Sequence, residues 1–597
     1  MSDARNDPHA EYTRRLSARR AAADRHERLH RTIGNLRLLV FVLAAAAAWI
    51  AYRHDLSWPW LAPPAVGFIS LVAWHARVAR ALARARRAIA FYERGLARLE
   101  DHWAGTGETG ERFADSHHPY AADLDLFGRG SLFELLSTAR TRSGEETLAA
   151  WLLAPAAPDE IEARQAAVEE LRGRLDLREE IALLGADVRS AVDPDALVAW
   201  SNAPPVEVPR HTAPIAAALA SLASASLVYW GISDAGKPAA AAALLFEGLF
   251  ALRFRRRVFA IIQAVERPGR DLALLSELLE RLSAESFAAP RLRELQSRLE
   301  TTGLSPGRQI ARLRRLVTIL DSRRNLIFAP LAAVLLAGTQ LALAIERWRT
   351  RFGAALPRWL AAVGEFEALA ALAAYAYEHP ADPFPSLEPG GARFDAEDLG
   401  HPLIPEARSV RNDVRLGDEA RLLVVSGSNM SGKSTLLRTV GTNAVLALAG
   451  APVRARRLRL SALAVGASIR TVDSLQDGSS RFYAEITRLR QLADLAKGTP
   501  PLLFLLDELL GGTNSHDRRI GAEAVLRNLV DLGAIGLATT HDLALAEIAA
   551  TLAPRAANVH FQDHLENGRI AFDYRLHPGV VRKSNALELM RSVGLDV

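Results

Sequence analysis

The stretch that most constrains this chain is LLVVSGSNMSGKSTLL at 422–437, where an apolar β-like run breaks into a glycine loop and then a helix-like pattern. The spacing G-x-x-x-x-G-K-[ST] runs from Gly427 to Ser434, in the strand–loop–helix setting that gives it meaning. Gly427 and Gly432 let the backbone turn tightly, so that its N–H groups can converge on phosphate oxygens. Asn429 and Thr435 belong to the same phosphate-facing stretch. The following helix adds its positive N-terminal end, which favours an anion. Lys433 supplies a mobile charge for terminal phosphates, and Ser434 a hydroxyl for Mg²⁺. A plain glycine turn ahead of a helix is the bland alternative. The context favours a nucleoside triphosphate site.

Downstream, LLFLLDE (502–508) is a continuous apolar run suited to a strand buried on both faces. It ends in Asp507, placed to hold the Mg²⁺ shell, and Glu508, placed to polarise an attacking water. Phosphoryl transfer needs such positioning and charge stabilisation more than covalent chemistry. The same pair could be a solvated turn. A third apolar run, IGLATTHD (535–542), carries His541 at its end, a candidate γ-phosphate sensor rather than an ordinary structural histidine.

The wording around these positions resembles the MutS family. GSNMSGKST is similar to that family's G-P-N-M-G-G-K-S-T, with Ser428 and Ser431 in place of a proline and a glycine. DELLGGTNSHD (507–517), SSRFYAEITRLRQL (479–492), ATTHD, NVHFQ (558–562), IAFDYRLHPGVVRKSNAL (570–587) and RSVGL (591–595) follow the family's order. Upstream, HPLI (401–404) and RNDVRL (411–416) resemble the lead-in to the ATPase domain. Residues 131–171 and 356–376 resemble helices of the family's core and lever. The resemblance implies ATP and Mg²⁺, hydrolysis in the manner of a DNA-dependent ATPase, and a homodimer with composite sites. Lys433, Ser434, Asp507, Glu508 and His541 would act in cis; Ser480 and the Asn514–Asp517 loop would serve the partner's nucleotide. Asn412 and Tyr574 would border the adenine, Tyr574 stacking on it where the family's usual aromatic is replaced by Ser409.

The chain departs from a mismatch-reading member. Nothing ahead of the core has room for the domain whose F-x-E wedge kinks a duplex. Phe91-Tyr92-Glu93 spells F-x-E, but inside an Arg/Ala helix, and is read as coincidence. The chain stops at Val597, so neither an appended nuclease nor a separate C-terminal dimerisation module is expected.

Composition adds a second constraint. The 597 residues carry a net charge of only +5, yet arginine dominates the cations and the pI is about 9.6. With no cysteine, neither a disulfide framework nor a thiolate metal site can form. No secretory signal is visible in the polar, arginine-rich N-terminus. Two pairs of apolar runs, 36–52 with 58–74 and 213–232 with 238–254, are each long enough to cross a bilayer. Arginines crowd their outer flanks (Arg28, Arg31 and Arg37; Arg77, Arg80 and Arg84; Arg253 and Arg255), which the positive-inside rule makes cytoplasmic. Trp58, Trp60, Trp74 and Trp230 lie near the ends, as interfacial aromatics do. Two buried hairpins in a large core are the alternative. A fifth run, 325–346, is assigned to a core helix, because an ATPase on the same side as the basic N-terminus requires an even number of crossings.

The expected fold is therefore α plus α/β: a helical core and lever with membrane hairpins, then an ABC-type P-loop α/β ATPase. The map is a basic segment (1–34), hairpin 1 (35–80), helix and linker (81–116) and first part of the core (117–210). Hairpin 2 (211–254), lever helices and linker (255–390) and the ATPase (391–597) complete it. Expected partners are a second copy, membrane lipid and, without sequence specificity, DNA. Localisation is expected at the cytoplasmic membrane, with four spans and both termini cytoplasmic. Two functions compete: ATP turnover coupled to DNA binding at the membrane, or a membrane ATPase driving a non-DNA process. The arginine bias suits DNA and anionic lipid equally.

Overall fold

The computed structural model describes residues 7–53, 62–191, 193–300, 306–322, 329–428, 430–470, 481–511, 514–566 and 569–580. The expectations on Asn429, Ser480, Trp58, Trp60, the turn near residue 56 and the closing residues 581–597 lie outside them. The described chain is mostly helical, with its strands gathered in the C-terminal part.

Two antiparallel helices, Pro8–Arg53 and Ala62–Leu99, open the chain. A boundary was expected at 34/35, but the first helix runs through it. Ala, Arg and Leu are all strong helix formers, and nothing between the basic and the apolar half breaks the pattern. Likewise Lys237–Ala284 passes through 254/255 unbroken. It pairs with Thr212–Ile232 around a turn at Gly236, where a Cβ would come within 2.5 Å of the Trp230 backbone nitrogen. Within the most apolar windows of these four helices, only 6%, 11%, 22% and 22% of residues are buried. Phe41, Leu43, Ile69, Leu222, Val228, Phe246 and Leu252 all stand exposed.

The basic ends of the first pair are docked on the helical core. Tyr12 Oη donates to Glu378 Oε1 at 3.1 Å, and Arg98 pairs with the same carboxylate at 2.5 Å, both partners buried. Arg19 meets Glu179 at 2.7 Å and Arg84 meets Glu180 at 3.1 Å. Phe91 and Tyr92, the aromatics of the F-x-E spelling, are spent in this packing, with the Tyr92 hydroxyl donating to Glu179.

The core is built around the buried helix Leu356–Glu378, packed on Arg142–Leu153, Pro158–Arg172 and Pro290–Leu299. Glu367 is 2% exposed and accepts from the Arg140 and Thr141 backbone N–H groups and the Thr141 hydroxyl. Thr141 in turn caps the helix Arg142–Leu153 by accepting from Gly144 N–H at 3.1 Å. The run expected to give one core helix at 325–346 instead divides, over its described part, into Ala329–Val334 and Ala337–Phe352. The break falls at Leu336, whose backbone is left-handed (φ 44°).

Beyond the linker lie β1 (Ser386–Leu387), β2 (Phe394–Leu399), β3 (Asn412–Leu416), β4 (Leu422–Ser426) and β5 (Arg457–Leu460). They are followed by β6 (Ala464–Ser468), β7 (Leu502–Leu506), β8 (Ile535–Thr540), β9 (Ala556–Glu566) and β10 (Arg569–Pro578). A four-stranded sheet orders β1-β5-β2-β3, and a six-stranded sheet orders β10-β9-β4-β8-β7-β6. In the larger sheet every pairing from β9 to β6 is parallel. β4, β7 and β8 are buried along their whole length, as continuous apolar strands covered on both faces must be. The register sets Ser426 opposite Thr540 and Leu506 opposite Ala538, so the carboxyl ends of β4, β7 and β8 finish on one edge.

Candidate functional site

That shared edge is where ligands bind in open parallel sheets. β4 delivers the Gly427–Ser434 loop, β7 delivers Asp507 and Glu508, and β8 delivers His541. Gly432 has φ 102°, and a Cβ on it would stand 3.2 Å from the Tyr574 ring, so glycine is required both for the turn and for the approach of that ring. The helix Lys433–Ala449 starts directly after it and aims its N-terminal end at the loop.

Lys433 is 5% exposed, and its Nζ donates to the carbonyls of Gly427 (2.9 Å) and Ser428 (2.8 Å). Burial pushes its pKa down, while Glu508 and Asp507 push it back up. A cation is thus held inside the loop, facing the two carboxylates. Ser434 and Thr435 lie on the first turn of the same helix.

The carboxylates are organised by a residue that the sequence reading passed over. Thr539, at the end of β8, donates its hydroxyl to Asp507 Oδ1 and accepts from the Glu508 N–H at 3.1 Å. It sits inside the quoted ATTHD, but its role depends on β7 and β8 being neighbours, which no local pattern states. Glu508 takes a left-handed backbone (φ 46°) and its Oε1 stands 3.4 Å from His541 Nδ1, both side chains being partly exposed. Holding a non-glycine residue there costs energy, and such outliers gather at functional sites. The following turn is braced by Glu485, which accepts from Leu510 N–H, and by Arg518, whose Nε donates to Leu509 O at 2.9 Å.

Beside Gly432 and Thr435 opens a cavity of about 340 Å³, also lined by His401, Ser409, Asn412, Phe561 and Tyr574. Asn412 spends its amide on β10: Nδ2 donates to Tyr574 O (3.0 Å) and Oδ1 accepts from Leu576 N–H (2.7 Å). It thereby fixes the register shift that carries Tyr574 (φ 53°). Phe561 is a second aromatic in this wall, missed because its strand was read only as part of a closing pattern. The Asn514–Asp517 segment closes on itself as a helix cap, with Asn514 Oδ1 accepting from Asp517 N–H at 2.9 Å.

These residues fit a nucleotide with Mg²⁺. The loop holds a buried cation at a helix N-terminus, a carboxylate lies close by, and an aromatic-walled cavity of suitable size adjoins it. Ser434 and Asp507 are the residues that would hold the ion, which would neutralise phosphate charge.

The chain matches two family models, MutS domain III over residues 121–376 and MutS domain V over residues 423–596. It is 34% identical over 213 residues to the "Endonuclease MutS2" of Thermus thermophilus, covering 34% of this chain and 27% of that protein. It is 34% identical over 255 residues to the "DNA mismatch repair protein MutS 2" of Halobacterium salinarum, covering 41% and 29%. To the "DNA mismatch repair protein MutS" of Natronomonas pharaonis it is 34% identical over 242 residues, covering 39% and 27%. It thus spans less than a third of the length of these relatives. With helical core and sheet domain both matched in order, the chain belongs to the MutS family.

Proposed function

We propose that this chain is an ATP-hydrolysing, membrane-held machine that works as a dimer and couples nucleotide turnover to DNA binding. The observation that carries the ATPase reading is the convergence of Lys433, Asp507, Glu508, Thr539 and His541 on one sheet edge beside the 340 Å³ cavity. Lys433 places positive charge where terminal phosphates would lie. Thr539 holds the Asp507 carboxylate and the Glu508 backbone together. Glu508 orients the attacking water, and His541, against Glu508, reports on the γ-phosphate. Ser434 and Asp507 would hold Mg²⁺, which would neutralise phosphate charge there. Tyr574 and Phe561 receive the base.

Support for DNA comes from the similarity to proteins named as DNA mismatch repair proteins and from the arginine excess. Support for the membrane comes from four long helices whose apolar residues stand exposed. In this reading the positive-inside pattern favours the cytoplasmic side for the ATPase and both ends of the chain. For the dimer, mixing Lys433→Ala with Ser480→Ala protomers should return part of the activity that each lacks alone. Heterodimers that form and stay inactive would remove the composite site.

A specific observation favours a second reading, in which ATP turnover moves the hairpins rather than DNA. Glu378, the last residue of the central core helix, holds Tyr12 and Arg98 of the first hairpin. Four residues on, Asp382 meets Arg454 at 3.6 Å, and the Arg454 N–H donates to Asn443 on the helix that begins at Lys433. Titrating duplex DNA across salt concentrations against the detergent-solubilised protein, with ATPase rate followed in parallel, separates the two. DNA binding that weakens with salt and speeds turnover supports the first. A rate indifferent to DNA at low salt, with no binding, leaves the second.

A further inference from the structure

Where the second hairpin packs on the short helices after residue 329, it encloses a cleft of about 680 Å³. Its walls are apolar, formed by Ala251, Phe259, Ile262, Ala332 and Leu336 among others. Into it reaches Glu247, 4% exposed, with Oε1 buried and without a hydrogen-bond partner. The volume falls within the roughly 300–1,000 Å³ typical of small-molecule sites, which combine apolar walls with a few placed polar groups.

Glu247 lies ten residues into the helix Lys237–Ala284, about 15 Å from its start at 1.5 Å per residue. In a hydrocarbon core about 30 Å thick that is near mid-depth. A carboxyl group there is costly unless paired, and such residues mark functional sites. The only cation among the described lining residues, Arg255, is exposed and eight residues further on, about 12 Å along the axis. Among the described lining residues, Glu247 is therefore the only ionisable group in the buried part of the cleft. A ligand suited to it brings an apolar body for the walls and a positively charged N–H donor for the carboxylate. An alcohol could offer a hydrogen bond but no positive charge, and an acid brings no cation to stabilise the carboxylate.

We propose that this cleft binds a lipophilic amine, with its ammonium group against Glu247 and its apolar body between the helix Lys237–Ala284 and the short helix Ala329–Val334. The site rests on the membrane reading above. A lipid headgroup amine would sit at the interface, not at mid-depth, so a free amine is the favoured source.

The full-length protein in phosphatidylcholine nanodiscs is treated with dicyclohexylcarbodiimide, which adds to carboxyl groups in apolar sites, and the adduct is mapped by mass spectrometry. Glu247 should be labelled, and dodecylamine should protect it, whereas dodecanol and dodecanoic acid should not. Filling the cleft with Ala332→Phe should raise the protecting dodecylamine concentration at least tenfold. Glu247→Gln should abolish both the label and the rise in Tm that dodecylamine causes in the wild type, while ATP binding persists as the check on folding. Should that variant not fold, the wild-type ligand comparison and Ala332→Phe still decide. Equal protection by dodecanol, or a dodecylamine-induced Tm rise unchanged in Glu247→Gln, overturns the proposal. Protection on adding phosphatidylethanolamine, without dodecylamine, would overturn the free-amine source. Release of the chain by carbonate with protection intact would defeat the membrane reading and leave the site standing.

Discussion

The helices Leu356–Glu378 and Thr212–Ile232 are written in nearly the same alphabet, alanine and leucine with scattered aromatics, and end in opposite surroundings. The first is buried along almost its whole length, and the window of Ala337–Glu378 that contains apolar core residues is 94% buried. The second exposes Leu222, Val228, Trp230 and Ile232. What separates them is the treatment of their polar residues. Glu365, Glu367 and Glu378 in the core helix each meet donors on other elements: Arg291, Thr141 and Arg98. In Thr212–Ile232, Ser221 and Ser224 turn back onto their own helix carbonyls, at 2.9 and 2.7 Å. A helix that satisfies its hydroxyls internally is suited to lipid, and one that sends carboxylates to neighbours is suited to a protein core.

Charge placed in each helix should break the symmetry most sharply. Leu369→Arg puts an unpaired cation at a fully buried core position and should cost about 5 kcal/mol or more, enough to prevent folding, as read by expression and thermal melting. Next, Arg98→Ala leaves Glu378 buried without its cation and should destabilise by about 3–5 kcal/mol, while removing Arg31 from the exposed Arg31–Glu27 pair should leave the denaturation curve nearly unchanged. Leu222→Arg, on the exposed face of Thr212–Ile232, should leave the melting of the core unchanged and, under the proposed membrane reading, cost about 3 kcal/mol in membrane insertion, measured by translocon-coupled glycosylation. Equal loss of melting temperature in Leu222→Arg and Leu369→Arg would end the distinction.

The smallest effect is a pH dependence of the sheet domain. Burial, with the Arg438 charge nearby, holds His401 down to about 4 from its ordinary 6.5. Below pH 6.5 the unfolded chain binds a proton that the folded chain refuses. Stability from the neutral ring is therefore complete above pH 6.5 and drains as pH falls towards 4, on the order of 2 kcal/mol by pH 5. His401→Gln should flatten that part of the stability–pH curve.

Much of the site could be read from sequence because it is written in contiguous words. The Gly427–Ser434 loop and the strand-end pair Asp507 and Glu508 each follow an apolar strand, and local spacing is enough to find them. Thr539, Phe561 and Glu485 were hidden because their roles arise from strand order and from contacts across the sheet edge. Asn412 was legible as a residue of the site but not in its task, since only the fold shows its amide spent on β10. The hairpins were legible as apolar runs, but their limits were not. Helix propensity carries Pro8–Arg53 and Lys237–Ala284 well past the point where composition changes. Leu336 breaks a run that looks uniform by composition.

The functional reading turns on Glu508 orienting the water for ATP hydrolysis at the sheet edge. Its most direct test compares steady-state, Mg²⁺-dependent ATP turnover by the full-length wild-type chain and Glu508→Gln in nanodiscs, with ATP binding measured on both. The variant should still bind ATP, with turnover lower by roughly 10²–10⁴-fold. Equal turnover in the two proteins would contradict it.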